Sequence, residues 1–212
     1  MSVNTNKEAP SDGEVVMPDL AAAASDGRQA AKAQGSPTWL LLVYRVPSEP
    51  TRLRAAVWRK LRNLGAIYMQ NSAAAVPRTA ASERAMRALR NEIVESMSGK
   101  AFLINSTSII GETDLVEMFN EARNEEYEEI LDKCRDFHAG VEKEVREEHF
   151  TYGELEENEE DLVKLKGWYQ KVKARDMLGA SLADKVSDAL ADCASTLEEF
   201  AARVYEADSA AL

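Results

Sequence analysis

Residues 39–77 have the sequence WLLLVYRVPSEPTRLRAAVWRKLRNLGAIYMQNSAAAVP. The first eight of them form an apolar run rich in strand formers, which predicts a buried strand. Ser48 and Pro50 are expected to open a helix, because proline is tolerated in a first helical turn. The apolar positions of this helix repeat at helical spacing, and they are Leu53, Val57, Leu61 and Leu64. Gly65 is expected to end the helix. The remaining residues predict two short strands around a turn at Asn71-Ser72, since asparagine tolerates positive φ.

Residues 78–110 add one more helix and one more strand to the predicted order of elements. Thr79 or Ser82 is expected to cap a second helix, whose apolar stripe is Met86, Leu89, Ile93 and Met97. Residues 100–110, KAFLINSTSII, are strand-like. The order β-α-β-β-α-β predicts an α+β fold in which two helices cover one face of a four-stranded antiparallel sheet, the ferredoxin-like arrangement.

From Thr113 onward the pattern is helical. Apolar residues keep a helical period to about residue 148, which allows a helix about 50 Å long, with a break near Asn124 left open. Thr151-x-x-Glu154 predicts a capped second helix, and Ser181-x-x-Asp184 predicts a third with near coiled-coil spacing. We therefore expect a long helical hairpin or three-helix bundle. The predicted organisation is a disordered tail at 1–38, the ferredoxin-like domain at 39–111, an acidic helical hairpin or bundle at 112–206, and a tail at 207–212.

Charge is distributed very unevenly along the 212 residues, whose net charge is −11. Residues 39–90 contain 10 basic and 2 acidic side chains, net +8, whereas residues 112–160 contain 5 basic and 19 acidic ones, net −14. The overall charge argues against a coat of nucleic acid but not against a local basic surface. Two cysteines are too few for a disulfide framework and fit a reducing cytoplasm. The sequence has no run of 18 apolar residues, so we expect no membrane span.

Three blocks of sequence carry a resemblance to a known family. They are the stretch at 39–77, the acidic segment NEEYEEI at 124–130, and FTYGELEENEEDLVKL at 150–165 with the later FAARVYE at 200–206. In these blocks the chain resembles the N-terminal domain of the ChrB family of chromate-resistance regulators. The resemblance implies a cytoplasmic protein that senses chromate and regulates chromate-efflux operons. It also makes Tyr152, Glu157 and Asp161 a possible family-motif site.

A more distant similarity concerns the strand, proline, basic helix and QNS pattern. It resembles the ferredoxin-like domain of the phenylacetate-type repressors and of the small CRISPR spacer-acquisition nucleases. In those nucleases an acidic residue ends the first strand and serves metal chemistry, whereas Arg45 stands at the matching place here. A cation there would repel Mg²⁺, so nuclease activity is not expected.

The basic segment suggests a binding surface for an anion. Its candidate residues are Arg45, Arg52, Arg59, Arg62 and Arg78. Arg52, Arg59 and Arg62 fall on one helix face, and the other two are placed near strand ends. They would contact DNA phosphates or a tetrahedral dianion such as chromate. The alternative without a binding function is that these arginines lie on a solvated face, or form ion pairs with the acidic segment of the same chain. No helix-turn-helix pattern supports sequence-specific readout.

Other residues that could carry out chemistry also have purely structural interpretations. Cys134 and His138 share a helix side and could ligate a metal, but an apolar stripe with a histidine at its edge is the favoured interpretation. His149 is placed in a turn and Cys193 in the core. The carboxylates at 154–161 are typical of a solvated helix start. Trp58, Trp168 and Tyr127 are expected to pack.

No motif identifies a reaction. There is no Gly-rich phosphate loop, G-x-S-x-G elbow, H-E-x-x-H or CxxC. We predict no catalytic residue, no metal ligand and no cofactor. The main expectation is a chromate-responsive regulator or accessory factor, with operator DNA, chromate or another oxyanion, and a second copy of the chain as partners. The alternatives are a dimeric interaction module, or a metal- or oxyanion-handling stress enzyme using the segment from Tyr152 to Asp161.

Overall fold

A computed structural model describes residues 37–210 of the chain. The predicted N-terminal tail lies outside this range except for its last two residues, as do residues 211–212 of the predicted C-terminal tail. The described part is a mixed α+β structure with a four-stranded antiparallel sheet and five helices.

The sheet consists of β1 (Trp39–Arg45), β2 (Ile67–Gln70), β3 (Ala73–Pro77) and β4 (Lys100–Ser106). The strands lie in the order β2-β3-β1-β4, so β2 and β4 are its edges. β1 pairs antiparallel with β3 on one side and with β4 on the other, and Arg45 lies opposite Lys100. The turn between β2 and β3 is at Asn71 and Ser72, as predicted, although Ser72 has the positive φ of 67°.

Two helices cover one face of the sheet: α1 (Arg52–Asn63) and α2 (Ala80–Glu95). Alternate strand residues such as Leu40 and Leu42 meet Val57 and Leu61 of α1 in this core. The prediction that Pro50 stands in the first turn of α1 is wrong, because the N-cap of this helix is Thr51. Thr79 caps α2 as predicted, through a reciprocal capping box with Ser82.

Three long helices form a bundle: α3 (Glu112–Arg146), α4 (Tyr152–Arg175) and α5 (Ala183–Ala210). α3 is continuous through Asn124, so the break left open there does not occur. Thr151 caps α4 as predicted, by accepting a hydrogen bond from the Glu154 amide. α5 extends four residues beyond the predicted boundary at 206.

The first turns of α3 cover part of the second face of the sheet. Leu115 and Phe119 pack against Trp39, Ile67 and Ala75. The rings of Trp39 and Phe119 meet edge-on with centroids 6.1 Å apart. A separate core fills the bundle. Of the helices between residues 37 and 210, none is long and apolar enough to cross a membrane.

Candidate functional site

A cavity of about 1130 Å³ lies at the end of the sheet where β1 finishes. We call it the sheet-end cavity. Its wall includes the last residues of β1, the following loop, the start of α1, the β2–β3 turn and the start of β4. Its lining residues are Tyr44, Arg45, Val46, Pro47, Ser48, Glu49, Arg54, Trp58, Tyr68, Asn71, Ser72, Ser98, Gly99 and Lys100.

The lining carries three cations and one carboxylate. Arg45 and Lys100 are neighbours because the antiparallel register places them directly opposite each other. Arg54 reaches the cavity from the first turn of α1, where its guanidinium donates a hydrogen bond to the Ser48 carbonyl oxygen at 3.2 Å. Glu49 is the single acidic residue among these lining residues. The cavity therefore has an excess of positive charge.

Two local features hold the cavity wall in place. Gly99 lies so close to β1 that a Cβ atom there would come within 2.6 Å of the Arg45 carbonyl oxygen and 2.8 Å of Ile93 Cγ2. Only glycine fits this approach without movement of the backbone. On the other side, the Tyr44 amide donates to the Ser72 carbonyl oxygen at 2.9 Å, which ties the β2–β3 turn to β1.

Hydroxyl groups complete the lining. The phenol oxygens of Tyr44 and Tyr68 are 3.3 Å apart. Burial, and then the hydrogen bond with Tyr44, raise the pKa of Tyr68, so its phenol stays protonated. A phenol that stays protonated can donate to an anion. Cations and hydroxyl donors together suit a tetrahedral oxyanion or a phosphate group.

The five predicted arginines do not form one site. Arg45 lines the sheet-end cavity, whereas Arg78 follows β3 at the other end of the sheet, where its amide donates to the Thr38 carbonyl oxygen. The two are separated by roughly the length of β1, about 20 Å. Arg78 is also ion-paired with Glu83 at 2.8 Å. Arg54 and Lys100, which the sequence did not single out, line the cavity together with Arg45. Only the strand register could have indicated Lys100.

The remaining predicted arginines lie on the exposed side of α1. Arg52, Arg59 and Arg62 are all exposed, and Arg62 stacks over Trp58 at 5.3 Å from the ring centroid. The expectation that Trp58 packs away is wrong, since 46% of it is exposed. Pairing of the basic segment with the acidic one is also not found. Among residues 37–210, no ion pair joins a cation of 39–90 to a carboxylate of 112–160.

The possible family-motif residues lie on two sides of α4. Glu157 and Asp161 line a groove of about 590 Å³ between α3 and α4, where Asp161 is ion-paired with Lys164 at 2.9 Å. Tyr152 instead packs against Tyr205 of α5, with ring centroids 5.9 Å apart. The structure therefore does not bring the three residues into one site.

The acidic segment NEEYEEI supports the junction between sheet and bundle. Asn124 accepts a hydrogen bond at 3.1 Å from the amide of Leu182, the residue just before α5. Glu126 is ion-paired with Arg175 and, at 2.8 Å, with Arg123. The Arg123 guanidinium is buried and donates to the Gly65 carbonyl oxygen at 2.9 Å. Burial lowers the pKa of Arg123, and the Glu126 carboxylate opposes that change.

Sequence reasoning missed Arg123, although it stands at a helical spacing from Leu115 and Phe119. A cation on an apolar stripe was the available signal.

The thiols and histidines behave in part as expected. Cys134 and Cys193 are both buried and free. Cys193, expected simply to be core, also has its Sγ atom 3.4 Å from His138 Nε2, while Thr196 Oγ1 lies 3.1 Å from His138 Nδ1. Burial raises the pKa of the Cys193 thiol to about 12.

His149 does not join the thiols. It lies near Glu144 and Glu147, a set of ligand atoms within 4.8 Å of one another that could hold a metal ion. The Lys143 ammonium contacts both carboxylates, at 3.4 and 3.7 Å, so they already have a cation partner.

These features define a mixed α+β protein with a cationic cavity at one end of its sheet. The family model described as "Protein ChrB, N-terminal" matches residues 54–211, and the chain therefore belongs to this family of chromate-resistance regulators. No curated protein and no solved structure matches the chain. The matched range begins inside α1, so Arg45 precedes it and Arg54 and Lys100 fall within it.

Proposed function

We propose that this protein is a chromate-responsive regulator that binds a tetrahedral oxyanion in the sheet-end cavity. The observation that carries the proposal is that Arg45, Arg54 and Lys100 all line one concave site with a single carboxylate. Membership of the ChrB family supports chromate as the ligand. The Arg forks and hydroxyl donors suit charge-assisted hydrogen bonds to a dianion.

DNA contact is a second part of the proposal, supported by the exposed side of α1. Arg52, Arg59 and Arg62 are exposed there and lack acidic partners among the described residues. They could contact backbone phosphates without reading sequence. α1 also supplies Arg54 and Trp58 to the cavity. An anion bound in the cavity would therefore contact the same helix that, in this proposal, contacts DNA. That shared helix is a physical route from chromate binding to DNA release.

We also infer the organisation behind this function. The order β-α-β-β-α-β and the antiparallel sheet favour a ferredoxin-like domain at about 39–111, with the helical bundle as a second unit. The separate cores of the α1/α2 face and of the bundle support this division. Two free buried thiols favour a cytoplasmic protein.

Chromate binding is tested on the purified 212-residue chain by calorimetric titration. Arg45→Gln should weaken binding by about tenfold or more, because a charged hydrogen bond is lost. Arg78→Gln is the matched control, since Arg78 lies at the far end of the sheet and pairs with Glu83. Sulfate, a dianion of the same shape, should compete. If Arg45→Gln binds chromate as tightly as Arg78→Gln does, chromate does not bind in the sheet-end cavity.

DNA binding is tested with DNA from the region upstream of the coding sequence, over a range of salt concentrations. Each lost phosphate contact should lower the slope of log K against log salt by about 0.9. In the triple variant Arg52→Gln/Arg59→Gln/Arg62→Gln, the magnitude of that slope should therefore be smaller by roughly 2.7 than in the wild type. Arg84→Gln/Arg87→Gln on α2 is the control and should keep it. An unchanged slope in the triple variant would remove α1 from the DNA interface.

A further inference from the structure

β4 is an unusually open edge of the sheet. β1 pairs with one side of it, and within residues 37–210 no strand pairs with the other. Its ladder with β1 runs over seven consecutive pairs without a shift, whereas the other edge, β2, is four residues long and has an irregularity. Proteins usually protect edges by shortness, bulges, prolines or charges. β4 has only Lys100, at its first position.

The part of the sheet face beside this edge is apolar and exposed. The register places Phe102 opposite Val43 and Ile104 opposite Leu41, so all four point to the face that α1 and α2 do not cover. Phe102 is 67% exposed, Ile104 46% and Val43 43%. α3 covers this face around Trp39, where Leu41 packs partly against it, but leaves Val43, Phe102 and Ile104 exposed.

We propose that two copies of the chain pair through β4, antiparallel, into a continuous eight-stranded sheet. A pairing centred on Leu103 places Phe102 of one copy opposite Ile104 of the other, twice. It also places Lys100 opposite Ser106, so no like charges face each other. Cross-strand pairs of an aromatic and a β-branched residue are stabilising. An antiparallel edge is complementary to itself, which is the requirement of a two-fold interface.

The proposed pairing would also bring residues of the second copy near the rim of the sheet-end cavity. Lys100 lines that cavity, and in the proposed dimer Ser106 of the second copy stands across from it. The hydroxyl of Ser106 lies in a turn, donating to the Ser108 carbonyl oxygen at 2.8 Å. The second copy would therefore add a hydroxyl-rich segment, residues 106–108, near the rim of each cavity.

The first test measures the mass of the full chain by sedimentation over a range of concentrations. The wild-type protein should be a dimer, and Phe102→Glu should raise its dissociation constant by about 100-fold or more, since two exposed rings lose their contacts. Val163→Glu is the control, because Val163 is equally exposed on α4 and should leave the dimer unchanged. A circular dichroism spectrum matching the wild type verifies that Phe102→Glu folds.

A second test fixes the register by cross-linking. Directly opposite residues have Cα atoms about 4.5–5.5 Å apart, close enough for a disulfide. Leu103→Cys should therefore cross-link two copies under mild oxidation. Asn105→Cys is the control, since position 105 faces 101 and two such cysteines stand about 13 Å apart along the strand. A monomeric wild type, a dimer that survives Phe102→Glu, or cross-linking at 105 but not at 103 overturns the proposal. Because no anion is present, these outcomes are independent of chromate or DNA binding.

Discussion

Replacing Gly65 by alanine should weaken the junction between the sheet and the bundle. Gly65 ends α1 with φ = +71°, and a Cβ atom there would come within 2.6 Å of Arg123 Nη1 and 2.9 Å of Arg175 Cβ. Its carbonyl oxygen accepts the hydrogen bond of the buried Arg123 guanidinium. The substitution therefore strains the backbone and displaces an arginine that holds α3 against the end of α1.

The size of the effect follows from these contacts. A left-handed conformation costs alanine about 1–2 kcal/mol relative to glycine. Loss of the hydrogen bond from a charged donor costs about 1.5–3 kcal/mol. The lower entropy of the unfolded alanine chain returns about 0.4–1 kcal/mol. The free energy of unfolding should thus fall by about 2–5 kcal/mol, which lowers the Tm by about 4–20 °C for a chain of this size.

Urea unfolding followed by circular dichroism measures this change. Gly167→Ala is the matched control: it lies within α4, its added Cβ has no atom within 4 Å apart from its chain neighbours and the nearby backbone of its own helix, and it should raise the stability by about 1 kcal/mol. If Gly65→Ala unfolds within about 0.5 kcal/mol of the wild type, the size of an ordinary surface substitution, the close approach of Arg123 does not have the role assigned to it.

Three further outcomes are expected. Phe119→Ala, which empties the space between α3 and the sheet, should lower the free energy of unfolding by about 3–5 kcal/mol in the same urea assay. Cys134 and Cys193 should resist a thiol reagent until the chain unfolds, because burial raises the pKa of both thiols; rapid labelling of the native protein would contradict this. Hydrogen bonds from Arg87 and Arg78 lower the pKa of Glu83, so the carboxylate stabilises the fold above its unfolded pKa and loses this effect as the pH falls through the folded value. Glu83→Gln should therefore be less stable than the wild type at neutral pH and equal to it in acid, as thermal unfolding across pH will show.

Local patterns predicted most elements because their causes are local. The apolar spacing in α1 and α2 reflects the turn of the helix itself, and Thr79 and Thr151 cap helices through bonds to residues three positions away. The β2–β3 turn was predictable for the same reason. Pro50 misled because a proline is compatible both with a first helical turn and with the position before the N-cap, which Pro50 occupies, and nearby residues do not distinguish these.

The candidate site was only partly predictable, since it depends on partners far apart in the chain. The basic character of residues 39–90 was evident, but the grouping of Arg45 with Lys100 follows from the β1–β4 register. The β1–β3 register, which places Trp39 opposite Pro77, is what separates Arg45 from Arg78. Likewise Tyr152 and Asp161 are close in sequence, yet they face different helices because nine positions along α4 turn the side chain by about half a circle.

The sequence by itself determined the order of the elements, the charge division between sheet and bundle, and the family of the protein, because periodicity, composition and motif blocks are properties of contiguous residues. Only the tertiary structure decided which cations line one cavity, that Arg123 lies buried at the junction, and that β4 is left with an open apolar edge. Those features arise from strand register and from what α3 covers. Both are selected by burial of apolar surface over the whole fold rather than by any local segment.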